Sequence, residues 1–93
     1  MFIISLHYLQ PMTEVEKHLD AHRTFLDDCY KQHYFIASGP KVPRTGGIIL
    51  ARIKDRASLE ALIELDPFKI HGVASYEIIE FMPNRGLPES LEP

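Results

Sequence analysis

Seven prolines divide the chain into short segments, and their spacing limits what the chain can fold into more than any other feature. Proline ends helices and is excluded from central strands, so each one marks where an element stops. They lie at positions 11, 40, 43, 67, 83, 88 and 93 of the 93 residues. Between them the sequence predicts four strands and two helices.

The strands are predicted from short apolar or alternating segments. They cover residues 2–9, 34–38, 46–53 and 73–82. The second of them is predicted to stop before Gly39-Pro40, and residues 41–45 form the loop to the third.

Two further segments have helical periodicity. One predicts an uninterrupted helix over residues 14–32, preceded by a capping box of Thr13 and Glu16. Asp55 is a suitable cap for the second helix, and Pro67 limits how far that helix can run.

The resulting order, β-α-β-β-α-β, predicts an α+β ferredoxin-like fold: an antiparallel sheet with two helices on one face. Residues 1–82 would form this single domain and residues 83–93 a C-terminal tail. The strands supply apolar side chains to both faces of the sheet, whereas the helices cover only one. We therefore expect a homodimer in which two sheets pack face to face.

Composition excludes several classes of protein. Ten Lys and Arg against thirteen Asp and Glu give a formal net charge of -3, with no basic run of the kind that nucleic acid binding requires. The single Cys29 excludes a disulfide framework. Residues 1–9 are interrupted by polar side chains and follow no basic residue, so they fit neither a signal peptide nor a membrane span, and we expect a cytoplasmic protein.

His22 and Asp66 occupy positions that packing alone does not explain. His22 lies in the middle of the apolar stripe of the first helix, where it is either a core histidine satisfied by one hydrogen bond or a general acid or base. Asp66 either ends the inward face of the second helix or caps a single turn that begins with Pro67 and ends at Gly72. Because both helices share one face of the sheet, we expect the two side chains to come within hydrogen-bonding reach of each other or of a common ligand near Ser38.

Four residues are candidates for binding a ligand. The Ser38 hydroxyl and the Gly39 amide could donate to an oxyanion, and a glycine allows close approach. Arg44, in the following loop, is either a solvated charge or a clamp for an anionic ligand, because its fork fits a carboxylate. His7 lies opposite the apolar side of the first strand and could line a pocket or a strand edge.

No metal or other cofactor is expected. His18 and His22 have the i, i+4 spacing of a helical metal site, but the glutamate of the metalloprotease motif is missing and no third ligand is evident. The sequence also contains no glycine-rich dinucleotide or phosphate loop. His33 is interpreted as a helix terminator with a left-handed backbone.

With these features the chain resembles the YCII-related (YciI-like) family of the dimeric α/β-barrel superfamily. The resemblance covers nearly the whole chain, and at position 33 the family usually has a small residue where this chain has histidine. It rests on His22, on Ser38-Gly39-Pro40 sixteen residues later, on a glycine-led third strand, and on Asp66-Pro67-Phe68 before Gly72-Val73. It implies a ferredoxin-like fold and an active site built around a histidine and an aspartate, which here are His22 and Asp66.

The favoured hypothesis is a small cofactor-independent enzyme of lyase or isomerase type that acts on a small cyclic or aromatic, anionic molecule. His22 would transfer the proton, Asp66 would orient the imidazole, Ser38 and the Gly39 amide would hold an oxyanion, and Arg44 would attract the substrate. The alternatives are a non-catalytic dimeric protein that binds a small ligand in the same pocket, and a structural partner of a larger enzyme.

Overall fold

The computed structural model describes residues 1–87. Its elements are β1 (Phe2–Tyr8), α1 (Met12–Lys17), α2 (Leu19–Lys31), β2 (Phe35–Pro40), β3 (Gly46–Ala51), α3 (Arg56–Ile63), α4 (Pro67–Ile70) and β4 (Ala74–Glu80). Residues 83–87 contain no helix or strand, and the rest of the predicted tail, residues 88–93, lies outside the described residues.

The four strands form one sheet in the order β2-β3-β1-β4, and all three neighbouring pairs are antiparallel. This order places β1 between β3 and β4, as a ferredoxin-like fold requires, so the predicted fold is confirmed. The predicted alternation along β1 is also present: Phe2, Ile4 and Leu6 are buried, whereas His7 is exposed. The buried side chains pack under the helices with Val15, Leu59 and other apolar residues as the core.

The prediction of one uninterrupted first helix is wrong. The helix is divided at His18, whose φ of -108° and ψ of 2° lie outside the helical range, and whose N–H bonds to Val15 three residues back. The predicted capping box is also absent. Pro11 is the N-cap and the helix starts at Met12, so Thr13 already lies inside it and its hydroxyl does not cap the first turn.

The other helix ends follow the sequence. Asp55 caps α3 by accepting a hydrogen bond of 2.7 Å from the Ser58 N–H, as predicted. His33 has a φ of 62°, which confirms the left-handed backbone predicted after the first helical segment. Because α3 ends at Ile63, Asp66 is outside it and is free to start the next turn.

Strand β2 continues through Gly39 and Pro40, where the sequence predicted its end. Proline is tolerated because β2 is an edge strand of the sheet. Glycine is required further on, at Gly46: a Cβ there would lie only 1.7 Å from the Leu6 carbonyl oxygen. The absence of a side chain at Gly46 lets the end of the 41–45 loop lie against β1, where the Tyr8 N–H bonds to the Thr45 carbonyl oxygen at 2.9 Å.

The sheet face away from the helices is partly apolar. In register across it lie Ile3, Leu50 and Ile79, and then Ser5, Ile48 and Glu77. Ile48 is 38% exposed and Ile79 46%. One end of this open face is thus apolar, while the other, which includes His7, is polar. Within residues 1–87 no helix has the length and apolar character needed to cross a membrane.

Candidate active site

The structure brings His22 and Asp66 together. His22 Nδ1 lies 2.8 Å from Asp66 Oδ1, across 44 residues of sequence. His22 comes from the first turn of α2, and Asp66 from the N-cap of α4. Both are buried, with 8% and 1% of their surfaces exposed. The pair is therefore held in the core, where a hydrogen bond is little weakened by water.

Asp66 is surrounded by hydrogen-bond donors. Besides His22, the Phe68 N–H donates to Oδ1 at 3.0 Å, and the Tyr76 hydroxyl donates to Oδ2 at 2.6 Å. The Phe68 and Tyr76 donors supply one hydrogen bond to each oxygen, which suits an ionised carboxylate, because such a group only accepts. The predicted cap of the short turn and the contact with His22 are thus both present, and both use Oδ1.

A tyrosine not singled out in the sequence completes this cluster. Burial, together with the adjacent Asp66 charge, raises the pKa of Tyr76 far above its usual value. The Tyr76 hydroxyl therefore remains a donor and holds Oδ2, while His22 contacts Oδ1. Strand alternation puts Tyr76 on the same face as Ala74 and Ile78. A buried tyrosine hydroxyl usually has a partner, but its sequence position does not show which one.

The contact with Asp66 fixes how His22 can react. An ionised carboxylate can only accept, so the Nδ1 of His22 must carry the proton that it donates to Asp66. In the neutral imidazole Nε2 then has no proton and is a hydrogen-bond acceptor. Within residues 1–87 no group forms a hydrogen bond with Nε2. Every buried side-chain nitrogen or oxygen in that range has a partner, so the unpartnered Nε2 is not a buried atom. Nε2 is therefore open to the cavity that His22 lines.

That cavity has a volume of about 290 Å³ and lies between α2 and the β2-β3 side of the sheet. This is at the lower end of the range for small-molecule sites and suits a ligand of about one ring. Its apolar walls are Leu6, Tyr8, Leu19, Leu26, Ile49 and Phe68. Arg23 and Arg44 also line it, whereas no carboxylate is among the described residues that do. The cavity wall is thus basic in a protein of net negative charge, although Arg23 Nη1 also lies 3.8 Å from Asp20 Oδ1.

Three of the predicted binding residues, Ser38, Gly39 and Arg44, line this same cavity. Ser38 Oγ lies 2.6 Å from the hydroxyl of Tyr30. A Cβ on Gly39 would meet no protein atom within 4 Å, so packing does not require glycine there. Arg23 was missed in the sequence because it follows His22 directly and falls beside the apolar stripe.

His7 and His18 are not part of this arrangement. His7 is exposed on the open face of the sheet and does not line the cavity. His18 does not meet His22: its ring stacks on His71 at 4.2 Å, while the His22 ring stacks on Phe68. Within residues 1–87 no group of three or more His, Cys, Asp or Glu side chains could hold a metal ion.

Together the fold and site define an α+β ferredoxin-like protein with a small cavity, a basic cavity wall and a buried His–Asp pair at that wall. The model of the YCII-related domain matches residues 1–82. The chain therefore belongs to the YCII-related domain family, as its sequence motifs suggested.

Among solved structures, the chain is similar to 5-chloro-2-hydroxyhydroquinone dehydrochlorinase (TftG) from Burkholderia phenoliruptrix AC1100, in complex with 2,5-dihydroxybenzoquinone. The TM-score is 0.74 with 14% sequence identity, over 90% of this chain and 96% of the other. At this identity the likeness establishes the common fold. None of the curated proteins compared with the chain matches it.

Proposed function

We propose that this protein is a small enzyme that transfers a proton on a small cyclic or aromatic, anionic molecule, in a reaction of lyase or isomerase type. The observation that carries the proposal is the pair of environments around the two ring nitrogens of His22. Its Nδ1 is held by Asp66 at 2.8 Å, and Nε2 is open to the cavity. A nitrogen positioned in this way can act as a general base and then as a general acid.

In this mechanism His22 Nε2 takes a proton from the substrate, and the electron pair left behind moves toward a substrate oxygen. The imidazolium that forms is stabilised by the Asp66 carboxylate. In an isomerisation the proton then returns to a different atom of the substrate. In an elimination the electron pair expels the leaving group as an anion, and the imidazolium gives its proton to water. Neither route needs a metal or a redox cofactor.

The other residues of the cavity suit the negative charge that this step creates. Ser38 would donate to the developing oxyanion, whereas the Gly39 amide predicted to do so faces β3: the Lys41 N–H bonds to Gly46, so antiparallel alternation directs the Gly39 N–H to Ile48. Arg44, and beside it Arg23, would attract an anionic substrate, and a guanidinium can bind a carboxylate or enolate with two hydrogen bonds. The apolar walls leave room for one ring.

The neighbour of known structure supports this class of substrate. It is a dehydrochlorinase of a hydroxylated hydroquinone and was solved with 2,5-dihydroxybenzoquinone. A hydroxyquinone is a single planar ring with acidic oxygens, which is the shape and charge that the cavity of this chain fits.

The test follows solvent exchange in deuterium oxide, with 2,5-dihydroxybenzoquinone as the probe. We expect the protein to speed the loss of the ring C–H signals in proton NMR spectra. His22→Gln should reduce that rate by about 10²–10⁴-fold, the usual contribution of a general acid or base. His71→Gln is the matched control, because His71 does not line the cavity, and should exchange at the wild-type rate.

Exchange that is insensitive to His22→Gln would contradict the enzyme proposal. Saturable binding of the quinone without any exchange would favour the second candidate, a non-catalytic ligand-binding or accessory protein. That candidate uses the same cavity and the same arginines, but it gives the open Nε2 no role.

We also propose that the protein is a homodimer. The open face of the sheet carries Ile48 and Ile79, each more than one-third exposed. Packing two such faces together would remove this apolar surface from water, and a two-fold pairing is the commonest way to do so.

A further inference from the structure

Ser38, the oxyanion donor of the proposed mechanism, has a short contact with the hydroxyl of Tyr30, a residue to which that mechanism gives no role. The two oxygens are 2.6 Å apart. Ser38 lines the cavity, whereas Tyr30 is not among the described residues that do. Tyr30 therefore reaches Ser38 from outside the cavity, in a contact that is exposed to solvent.

The position of Tyr30 is fixed by packing. It lies in the last turn of α2, and its ring meets the Phe35 ring edge to face, with centroids 6.2 Å apart and planes at 88°. Phe35 is buried and begins β2, the strand that carries Ser38. The tyrosine ring is thus anchored on the same strand as the serine that its hydroxyl contacts.

Chemistry decides which hydroxyl donates. A phenol is a stronger acid than an aliphatic alcohol, so the favoured arrangement has Tyr30 donating and Ser38 Oγ accepting. The Ser38 proton is then free to turn into the cavity. A hydroxyl that accepts a hydrogen bond is also polarised into a better donor. Ser38 would thus be a stronger donor than an isolated serine.

We propose that Tyr30 is a positioning residue: its hydroxyl donates to Ser38 Oγ and thereby directs the Ser38 proton toward a phenolate or enolate oxygen of the bound ligand. The catalytic use of this contact rests on the proposed function, whereas the direction of the hydrogen bond does not. The cavity would then have an acceptor, His22 Nε2, and a donor, Ser38 Oγ, each oriented by a side chain behind it.

The first experiment tests, without any ligand, whether the Tyr30 hydroxyl can donate to the side chain at position 38. In Ser38→Cys the new thiol is alkylated with iodoacetamide at a series of pH values, with and without Tyr30→Phe. The native Cys29 contributes little, since it is buried and its pKa is raised to about 11; the wild-type protein gives its rate. If Tyr30 donates, it stabilises the thiolate, and its removal should raise the pH of half-maximal alkylation by about one unit.

Tyr34→Phe in the same Ser38→Cys background is the matched control, because it removes a tyrosine hydroxyl from a neighbouring position that does not line the cavity. It should leave the alkylation profile unchanged. A profile that Tyr30→Phe does not move, or that it moves to lower pH, would overturn the proposal.

The second experiment tests whether Tyr30 acts through Ser38. Binding of 2,5-dihydroxybenzoquinone is measured by calorimetry for Tyr30→Phe, Ser38→Ala and the double variant, each checked for folding by circular dichroism. Each single change should weaken binding about threefold to tenfold. The double variant should bind no more weakly than Ser38→Ala, since the tyrosine then has nothing to direct.

Additive losses in the double variant would overturn the positioning role. If the wild-type protein does not bind the quinone at all, the proposed substrate class fails, and the alkylation profile alone then decides whether the Tyr30 hydroxyl can donate to position 38. The two failures are therefore distinguishable.

Discussion

The Phe68 residue supports His22 in two ways at once. Its ring is stacked on the imidazole, with centroids 3.9 Å apart and an angle of 3° between the planes. Its backbone N–H donates to Asp66 Oδ1, the same oxygen that holds His22 Nδ1. The first turn of α4 therefore fixes both the plane of the imidazole and the carboxylate that orients it.

Two substitutions of Asp66 separate its charge from its hydrogen bonds. In Asp66→Asn the amide oxygen can still accept from Phe68 and His22, and the amide N–H can donate to a reoriented Tyr76 hydroxyl. We expect the free energy of unfolding to fall by only about 1–2 kcal/mol. Proton exchange on the quinone should fall by about tenfold to a hundredfold, part of the general acid-base factor.

In Asp66→Ala the three donors lose their acceptor in the core, so the free energy of unfolding should fall by about 3–5 kcal/mol. Urea unfolding and the exchange assay measure both variants. Equal stability losses for Asn and Ala would contradict the hydrogen-bonding network described around Asp66.

Tyr76→Phe removes the donor to Asp66 Oδ2, which is 2.6 Å from the hydroxyl. At neutral pH we expect the free energy of unfolding to fall by about 1.5–3 kcal/mol, the range for a hydrogen bond to a charged group. Because folding raises the pKa of Tyr76 above its ordinary value of 10.0, its contribution is complete below about pH 10 and is lost at higher pH, where the unfolded chain ionises.

The difference between wild type and Tyr76→Phe should therefore shrink as the pH rises above 10. Urea unfolding between pH 7 and pH 11 measures it, with Tyr34→Phe as a control for the loss of a tyrosine hydroxyl that does not touch Asp66. If the difference in free energy of unfolding between wild type and Tyr76→Phe stays constant or increases with pH, the Tyr76 hydroxyl is not a buried donor.

Cys29 should be protected from thiol reagents in the folded protein. It is buried, and burial, with a smaller effect of the nearby Asp28 and Asp66 charges, raises its pKa to about 11. At pH 8 only about one thiol in a thousand is then ionised, and the thiolate is the reactive form. Labelling with Ellman's reagent should be at least about a hundredfold slower than in urea; comparable rates would contradict this.

Sequence periodicity predicted the elements well but could not reveal their interruptions. Each predicted strand end lies within two residues of the end in the structure, because alternation is a local property. The break at His18 was missed because the apolar stripe, Val15 before it and Leu19 and His22 after it, continues across the break. Pro40 was read as a stop, although an edge strand tolerates it.

The meeting of His22 and Asp66 was predicted from two helices on one face of the sheet, although Asp66 lies outside α3, at the N-cap of α4. The supporting hydroxyls of this pair were not predicted. Tyr30 and Tyr76 act through the ends of long side chains, and their partners Ser38 and Asp66 lie eight and ten residues away. Periodicity gives the direction of a side chain, but the partner of its terminal atom depends on tertiary packing.

The open sheet face can be tested by introducing a charge. Ile79→Lys places an ammonium among the apolar side chains of that face, where Ile79 is 46% exposed. We expect wild-type protein to sediment as a dimer at micromolar concentration and Ile79→Lys to shift toward monomer, because burying an unpaired charge is costly. Leu65→Lys, on the helix side, is the control and should remain dimeric. A wild-type monomer would contradict the proposal.

The double use of Asp66 Oδ1 affects how relatives of this chain should be compared. A descendant that had lost the reaction would still need the carboxylate to begin the turn at Pro67. The aspartate would then be retained for the helix cap even without proton transfer. Its presence in a relative would therefore say little about activity. His22 has no such second duty in the backbone, since no cap depends on its side chain within the described residues. In a family survey, the histidine is therefore the more informative of the two positions.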